Sequence, residues 1–244
     1  MTHSRPYAAA LNRRSRRGKL AYQCLLYLVV GLGACMVSLP FLWMLSASLK
    51  KPADIFVFPP KWIPWPPNFD NYTKALSLMP FGLYTRNTLT VTFGAMIGDV
   101  LVCSLVAYGF ARLRFPGRRQ LFMLVLATMM MPYYVTMIPR FILFKQLQWV
   151  DTFLPLIVPA LCATSGFYIF LFRQFYMGIS FGIDDAARID GCSTLGIWFR
   201  VLLPMSRPAI ASVAIYSFLS HWNDFTGPLI YLNDMNKFTL SVSL

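Results

Sequence analysis

Thirty consecutive residues, 20–49, carry no charged side chain. A helix needs only about 20 apolar residues to cross the hydrocarbon core of a bilayer, so this stretch is long enough for a membrane span. It is also too long for the apolar part of a secretory signal peptide, which has about 7–15 residues. The whole chain is 57% hydrophobic and 13% charged, whereas soluble domains are roughly 25% charged. We therefore predict an all-α membrane protein with a retained first span at residues 20–49.

Four further stretches have the length and composition of membrane helices. They cover about residues 87–111, 120–139, 152–172 and 208–232. Backbone polar groups must be satisfied internally in lipid, so a helix is the expected form of each stretch. The sequence thus predicts a polytopic protein with five spans, in which residues 87–244 form the core.

The positively charged residues are concentrated at membrane edges. Six Lys or Arg residues lie in the tail 1–19, and four more lie in the link between the second and third spans: Arg112, Arg114, Arg118 and Arg119. Lys and Arg favour the cytoplasmic side of a membrane. We predict that the tail, this link and the loop 174–207 are cytoplasmic. The same clustering explains the net charge of +13 without nucleic acid as a partner.

The loop 50–86, which this topology places outside the cytoplasm, is rich in proline and aromatic residues. Proline removes backbone donors and disfavours helix, whereas tryptophan and tyrosine suit the interface between membrane and water. We predict an extended loop along the membrane surface. Whether its aromatic residues anchor it in the interface or contact an external partner stays open at this point.

Residues typical of enzyme or metal chemistry do not form a pattern in this sequence. The five cysteines have no CxxC spacing, the two histidines are 218 positions apart (3 and 221), and there is no glutamate. The pair Gly18-Lys19 is followed by Leu20, so it does not match the phosphate-binding loop GxxxxGK[ST]. We predict no catalytic, metal or cofactor site in this chain, and we do not expect it to hydrolyse ATP.

The second and third spans contain residues that are unusual at membrane depth. Gly94 and Gly98 form a GxxxG pair, which permits close approach of another helix. Asp99 is a functional candidate because a carboxylate exposed to lipid is costly; it either lines a polar pathway or bonds to a neighbouring helix. In the third span, Pro132 follows three methionines and predicts a break in the helix.

A polar segment, residues 183–204, interrupts the apolar sequence inside the loop 174–207. We predict one short helix that begins near two acids and ends at Gly191, and a second helix that is capped by Ser193 and stops at Pro204. Ala186 and Ala187 leave one side of the first helix without bulk. Another surface could approach the helix backbone there.

The polar segment resembles the cytoplasmic EAA loop of permease subunits in bacterial ATP-binding cassette importers, in particular the carbohydrate branch of the maltose-permease type. The residues that match the family pattern are Asp185, Ala186, Ala187, Gly191, Leu203 and Pro204, with Arg188-Ile189-Asp190 as the spacer of the sugar branch. Further matches are Trp222-Asn223-Asp224-Phe225, Ala107-Tyr108 and Arg114-Phe115-Pro116-Gly117. The resemblance covers most of the chain from about Leu49 onward, and Asp185 stands where the family has glutamate.

This resemblance implies a type I-like permease bundle that carries a sugar, an oligosaccharide or a glycerol-phosphate-like solute. It also implies four protein partners: a second homologous permease, two ATP-binding cassette ATPase subunits that bind ATP and Mg, and an extracytoplasmic solute-binding protein. Membrane lipid surrounds the permease. Residues 185–191 would then fit a groove on an ATPase. Asp99, Asn223 and Asp224 are expected in the solute pathway or in helix packing.

The resemblance further implies one more span after the last residue, so a final family span is missing from this sequence. The chain is either truncated, or that span is dispensable or supplied by another chain. Two alternatives to an importer permease stay open from the sequence. One is a secondary transporter or channel that does not use nucleotide, and the other is an inactive, truncated permease subunit.

Overall fold

The computed structural model describes the backbone of residues 5–243, and the side chains of that range except 5–18, 20 and 21. Its regular structure in this range is helical, without β-strands, so the all-α prediction is confirmed. The chain forms two compact units, Met1–Met79 and Pro80–Leu244.

The first unit begins with the long helix α1 (Arg5–Ser48). Its apolar part, Tyr22–Ser48, is long enough to cross a membrane, and nearly all of its large apolar side chains are exposed within the chain. Such exposure suits a helix that faces lipid or another membrane helix. The predicted basic tail 1–19 falls almost wholly on side chains outside the described part.

The proline-rich loop that follows α1 folds back on the end of that helix. The Asn71 side chain donates to the carbonyl oxygens of Ser48 at 2.9 Å and Lys50 at 2.7 Å, and the Trp62 ring packs edge-on against Trp43. The prediction of an extended loop was wrong for α2 (Asp70–Leu78). That helix forms because the sequence has no proline from residue 68 to residue 79.

The second unit is built around one long helix, α3 (Phe81–Arg112). The remaining helices of the unit are α4 (Arg118–Thr128), α5 (Tyr133–Gln146), α6 (Leu154–Leu161), α7 (Gly166–Met177), α8 (Phe181–Ile189), α9 (Thr194–Gly196), α10 (Leu203–Met205), α11 (Arg207–Trp222), α12 (Thr226–Tyr231) and α13 (Leu240–Ser243). α3 packs mainly against three of these, α6, α7 and α11, and also against α13. The larger core cluster joins α3, α7 and the polar segment through buried aromatic and aliphatic side chains. α3 begins six residues before the predicted span because Arg86 ends the apolar stretch but not the helix.

The two glycines of the GxxxG pair bring α6 close to α3. A Cβ atom on Gly98 would lie 3.0 Å from the backbone nitrogen of Leu161, and one on Gly94 would lie 3.1 Å from the Ile157 side chain. Larger residues at these two positions would force the helices apart. The GxxxG pair therefore serves packing within this chain.

By length and composition, three helical segments of the described part can cross a membrane: Tyr22–Ser48, Phe81–Arg112 and Leu154–Met177. The number rises to five if each of two bent helix pairs counts as one span. One pair is α4 and α5, which meet at 98°, so the predicted third span 120–139 is not one straight helix. Pro132 has no N–H to continue α4, and the last turn tightens as Met129 N donates to Leu126 O at 3.1 Å.

The predicted fifth span, residues 208–232, also departs from a single helix. α11 ends at Trp222, and the short helix α12 starts only at Thr226. The Asp224 side chain accepts the Gly227 N–H at 3.0 Å, so it caps a new helix instead of extending the old one. This break moves Asp224 out of a regular helix.

Candidate functional site

Helix α8 occupies the first half of the polar segment and has a defined stop. Its N-cap is Ser180, whose hydroxyl accepts the Gly182 N–H. At its other end Gly191 has φ +81°, Gly191 N donates to Arg188 O at 3.0 Å, and Cys192 N donates to Ala187 O at 2.9 Å. These two bonds form a Schellman motif, which requires the left-handed conformation that glycine adopts without strain. The prediction that the first helix ends at Gly191 is confirmed.

A buried ion pair attaches α8 to the end of α3. Arg112 Nε lies 3.1 Å from Asp184 Oδ2, and the two side chains are 1% and 3% exposed. Arg112 Nη2 also donates to Ile179 O at 2.9 Å, and the guanidinium lies 4.4 Å from the centre of the Phe181 ring. Burial raises the pKa of the Asp184 carboxyl, and the neighbouring guanidinium opposes this rise. Arg112 thus makes three contacts at the start of α8.

The adjacent residues Asp184 and Asp185 have different surroundings. Asp184 is buried, whereas the Asp185 side chain is 68% exposed and pairs with Arg188, whose Nη1 lies 3.4 Å from Asp185 Oδ1. The two alanines differ in the same way, because Ala187 packs in the core and Ala186 is exposed. The exposed side of α8 therefore presents Ala186 and Asp185, together with Ile189, which is 87% exposed.

The second half of the polar segment is also tied to α3. Tyr108 Oη donates to Thr194 O at 3.0 Å, and Ser193 caps the segment by accepting the Gly196 N–H at 3.1 Å, as predicted. The chain continues through a π-helical turn (Ile197–Leu202) into α10, which ends at Met205, one residue after the predicted stop at Pro204. The wider π turn admits Pro204, which has no N–H to donate. Leu203 is half-buried and Pro204 is exposed.

Asp99, the candidate at membrane depth, is buried between α3 and α11. Its Oδ2 atom accepts the Ser217 hydroxyl at 2.7 Å and lies 3.1 Å from His221 Nε2. Ser217 and His221 are four residues apart on α11, so they share one side of that helix. The carboxylate therefore joins two helices, and the polar pairs offset the cost of burying it.

Asp99 also borders a cavity of about 380 Å³ in the second unit. The groups around it include a second carboxylate, Asp224, a guanidinium, Arg140, and the phenol of Tyr133. Asp99 and Asp224, which are 125 positions apart, are thus brought to the same cavity. Asn223 is not among the residues that line it, and its side chain donates to Leu219 O at 2.8 Å.

Sequence reasoning missed several residues of these two regions. In the sequence Arg112 indicates only which side of the membrane its link occupies, whereas in the structure it pairs with Asp184 of α8. Ser217 and His221 had not been linked to Asp99, although their four-residue spacing on an apolar helix was a usable signal. Arg140 and Tyr133 had no signal in the sequence, because their position depends on the sharp bend between α4 and α5.

Comparison with known proteins gives the family of the chain. A family model described as "Binding-protein-dependent transport system inner membrane component" matches residues 91–244. The arabinooligosaccharides transport system permease protein AraQ of Halalkalibacterium halodurans is 38% identical over 166 residues, which cover 67% of this chain and 59% of AraQ. The diacetylchitobiose uptake system permease protein NgcG of Streptomyces coelicolor is 32% identical over 214 residues, which cover 86% of this chain and 69% of NgcG.

A solved structure has the same fold. It is a bacterial ABC transporter involved in the import of the acidic polysaccharide alginate, and its matching chain superposes with a TM-score of 0.82 at 24% identity, over 93% of this chain and 80% of that chain. The likeness confirms the predicted permease bundle. The family match over residues 91–244 shows that this chain belongs to the inner membrane components of binding-protein-dependent transport systems.

Proposed function

We propose that this chain is a permease subunit of an ATP-driven, binding-protein-dependent carbohydrate importer. It works with a second permease, two ATPase subunits and an external solute-binding protein. The tail 1–19 and the polar segment face the cytoplasm. The observation that carries the proposal is the geometry of α8, whose inner side is bound to α3 by the Arg112–Asp184 pair and whose outer side is exposed.

The outer side of α8 has the chemistry of a docking surface for an ATPase. Ala186 permits close approach, Ile189 offers apolar area, and the Asp185 carboxylate can accept a charge-assisted hydrogen bond from a partner. Movement of a bound ATPase would reach α3 through the Arg112–Asp184 pair and through the Tyr108–Thr194 bond. Coupling of this kind requires contacts that differ between the two states of the importer.

The cavity beside Asp99 is the part of the described structure that best suits a solute. Carboxylates and a guanidinium can bond the hydroxyl groups of a sugar, and aromatic rings supply apolar area. Its volume of about 380 Å³ lies within the usual range of ligand sites, roughly 300–1,000 Å³. The names of the relatives, which refer to arabinooligosaccharides and diacetylchitobiose, support an oligosaccharide as the solute.

Co-purification tests the assembly. A tagged chain is isolated from native membranes, and its partners are identified by mass spectrometry. The proposal expects ATPase subunits and a second permease. Asp185→Ala should reduce recovery of the ATPase. Asp54→Ala should not, because Asp54 is a half-buried acid of the first loop, far from α8 in sequence. Recovery of neither partner with the wild-type chain would contradict the proposal, and so would solute uptake by reconstituted chain without ATP.

Solute-stimulated ATP hydrolysis by the reconstituted complex tests the cavity. Asp224→Asn keeps an oxygen that can cap α12 but removes the charge, and Arg140→Gln removes the guanidinium. Both changes should raise the solute concentration needed for half-maximal stimulation by about 10-fold, which corresponds to the loss of one hydrogen bond to a charged group. The control is Asn223→Ser, outside the cavity. Equal effects in all three variants would count against a solute site here.

A further inference from the structure

Three arginines surround a second cavity, at the edge of the predicted third and fourth spans. The cavity has a volume of about 370 Å³ and is lined by Arg118, Arg119, Arg173, Phe122 and Met123. Two of the arginines belong to the first turn of α4 and the third to α7. Among the described residues that line it there is no carboxylate, so three positive charges face one space without an internal counter-ion.

The hydrogen-bonding capacity of these arginines is largely unused. Arg173 lies with its guanidinium 4.1 Å from the centre of the Phe122 ring, and its Nε is shielded from solvent without a hydrogen-bond partner in the described part of the chain. Arg118 uses Nη1 to donate to Leu113 O at 2.9 Å. Because this Nε is closed to solvent, an anion in the cavity would bond the terminal nitrogens of the guanidinium groups, to which the lining residues offer no carboxylate.

The backbone adds to the positive potential. Arg118 is the first residue of α4, and its N-cap, Gly117, supplies no side-chain acceptor. The N-terminal turn of a helix favours negative charge, yet this turn carries two arginines and no acid. The arginine side chains and the N-terminal end of α4 therefore both favour an anionic ligand.

We propose that this cavity binds the phosphate group of an anionic membrane lipid. Arginine matches a phosphate with two parallel hydrogen bonds, and basic pockets between membrane helices bind acidic headgroups. A lipid is favoured over free phosphate because apolar side chains adjoin the charges, including Met123 and the neighbouring Leu124, which are 54% and 62% exposed. This site goes beyond the transport proposal and does not depend on it.

Native mass spectrometry of the full chain in a neutral detergent tests the proposal. The chain is titrated with phosphatidylglycerol or phosphatidylcholine, and bound lipid is counted. We expect a preference for phosphatidylglycerol that weakens about fivefold in each of Arg118→Gln, Arg119→Gln and Arg173→Gln, since one arginine near an anionic surface contributes about this much. Arg114→Gln is the control, because Arg114 is exposed in the same link and does not line the cavity.

A second titration with inorganic phosphate distinguishes the sources of the anion. Displacement of phosphatidylglycerol only at phosphate concentrations far above those of the lipid supports a lipid ligand. Displacement at equal concentrations supports the anion site but overturns the lipid assignment. Unchanged lipid binding in the three cavity variants, or equal weakening in Arg114→Gln, overturns the site. Arg119 is exposed, so Arg119→Gln provides a folded variant even if Arg173→Gln does not fold.

Discussion

Arg112 and Asp184, 72 positions apart in sequence, form an ion pair of 3.1 Å that is almost completely buried. The pair connects the last turn of the longest helix in the second unit with the first turn of α8. In the proposed importer it is one of the two connections through which a partner ATPase would act on the spans, beside the Tyr108–Thr194 bond.

Loss of one member of this pair should destabilise the protein strongly. Arg112→Ala or Asp184→Asn leaves the other group buried without its counter-charge, which costs about 3–5 kcal/mol. The double variant should be less destabilised than the sum of the single variants. Thermal unfolding in detergent measures these effects. Arg188→Ala, which breaks the exposed pair with Asp185, should cost less than about 1 kcal/mol. A loss of stability in Arg188→Ala as large as that in Arg112→Ala would contradict the special role of the buried pair.

The two alanines of α8 should respond differently to the same substitution. Ala187→Leu adds bulk to a packed core and should destabilise the chain by about 1–3 kcal/mol. Ala186→Leu adds bulk on the exposed side, so it should leave the melting temperature unchanged and weaken capture of the ATPase. Both properties are measured on each variant, by thermal unfolding and by co-purification. Loss of ATPase capture without loss of stability in Ala187→Leu would reverse the assignment of the two faces.

Gly191 should not tolerate a residue with a fixed negative φ. Its φ is +81°, and its N–H donates to Arg188 O, so Gly191→Pro removes both the conformation and the bond. We expect membrane insertion to persist and solute-stimulated ATP hydrolysis to be lost. Gly191→Ala should destabilise α8 by about 1 kcal/mol. The control is Gly182→Ala on the same helix, where a Cβ would make an ordinary contact at 3.6 Å and activity should be kept.

The loop between α5 and α6 should lose a stabilising contact in acid. Asp151 Oδ2 lies 2.7 Å from Lys237 Nζ, and this hydrogen bond, with those from the Asp234 and Asn233 N–H groups, lowers the pKa of Asp151 from 3.8 to about 2. Because the pKa of Asp151 is lower in the folded state, its ionised form stabilises the fold fully above about pH 4, and this stabilisation is lost as the pH falls towards 2.

Melting temperatures measured from pH 2 to pH 5 check this expectation. The difference between wild type and Asp151→Asn should be largest at the upper end of the range and should shrink as the pH falls. Asn keeps an oxygen for the two backbone N–H groups but has no charge to lose. A difference that stays constant across the range would show that Lys237 does not stabilise the ionised Asp151.

Local features of this chain were predictable from sequence, because their causes lie within a few residues. α8 ends at Gly191 through two bonds that join residues three and five positions apart, and Pro132 breaks α4 from α5. Contacts set by three-dimensional packing were not predictable in this way. Arg112 with Asp184 and Asp99 with His221 each join distant parts of the chain, and a single sequence offers no measure of such proximity.

α2 was missed for a different reason. The prolines on both sides of residues 68–79 dominated the composition of the loop, and the short stretch between them was assigned their extended character. The structure shows that a run of only nine residues, Asp70–Leu78, is enough for a helix there. The average composition of the whole loop 50–86 thus conceals a helix that occupies only part of it.

The opposite surroundings of Asp184 and Asp185 have a consequence for insertions and deletions in α8. Each residue advances a helix by about 100°, so removing one residue between Ser180 and Asp184 would rotate every later side chain relative to α3. Asp185 would then meet Arg112 and would be lost from the exposed side, and Arg188 would take the core position of Ala187. Length in this short stretch should therefore be more strictly constrained than residue identity on the exposed side.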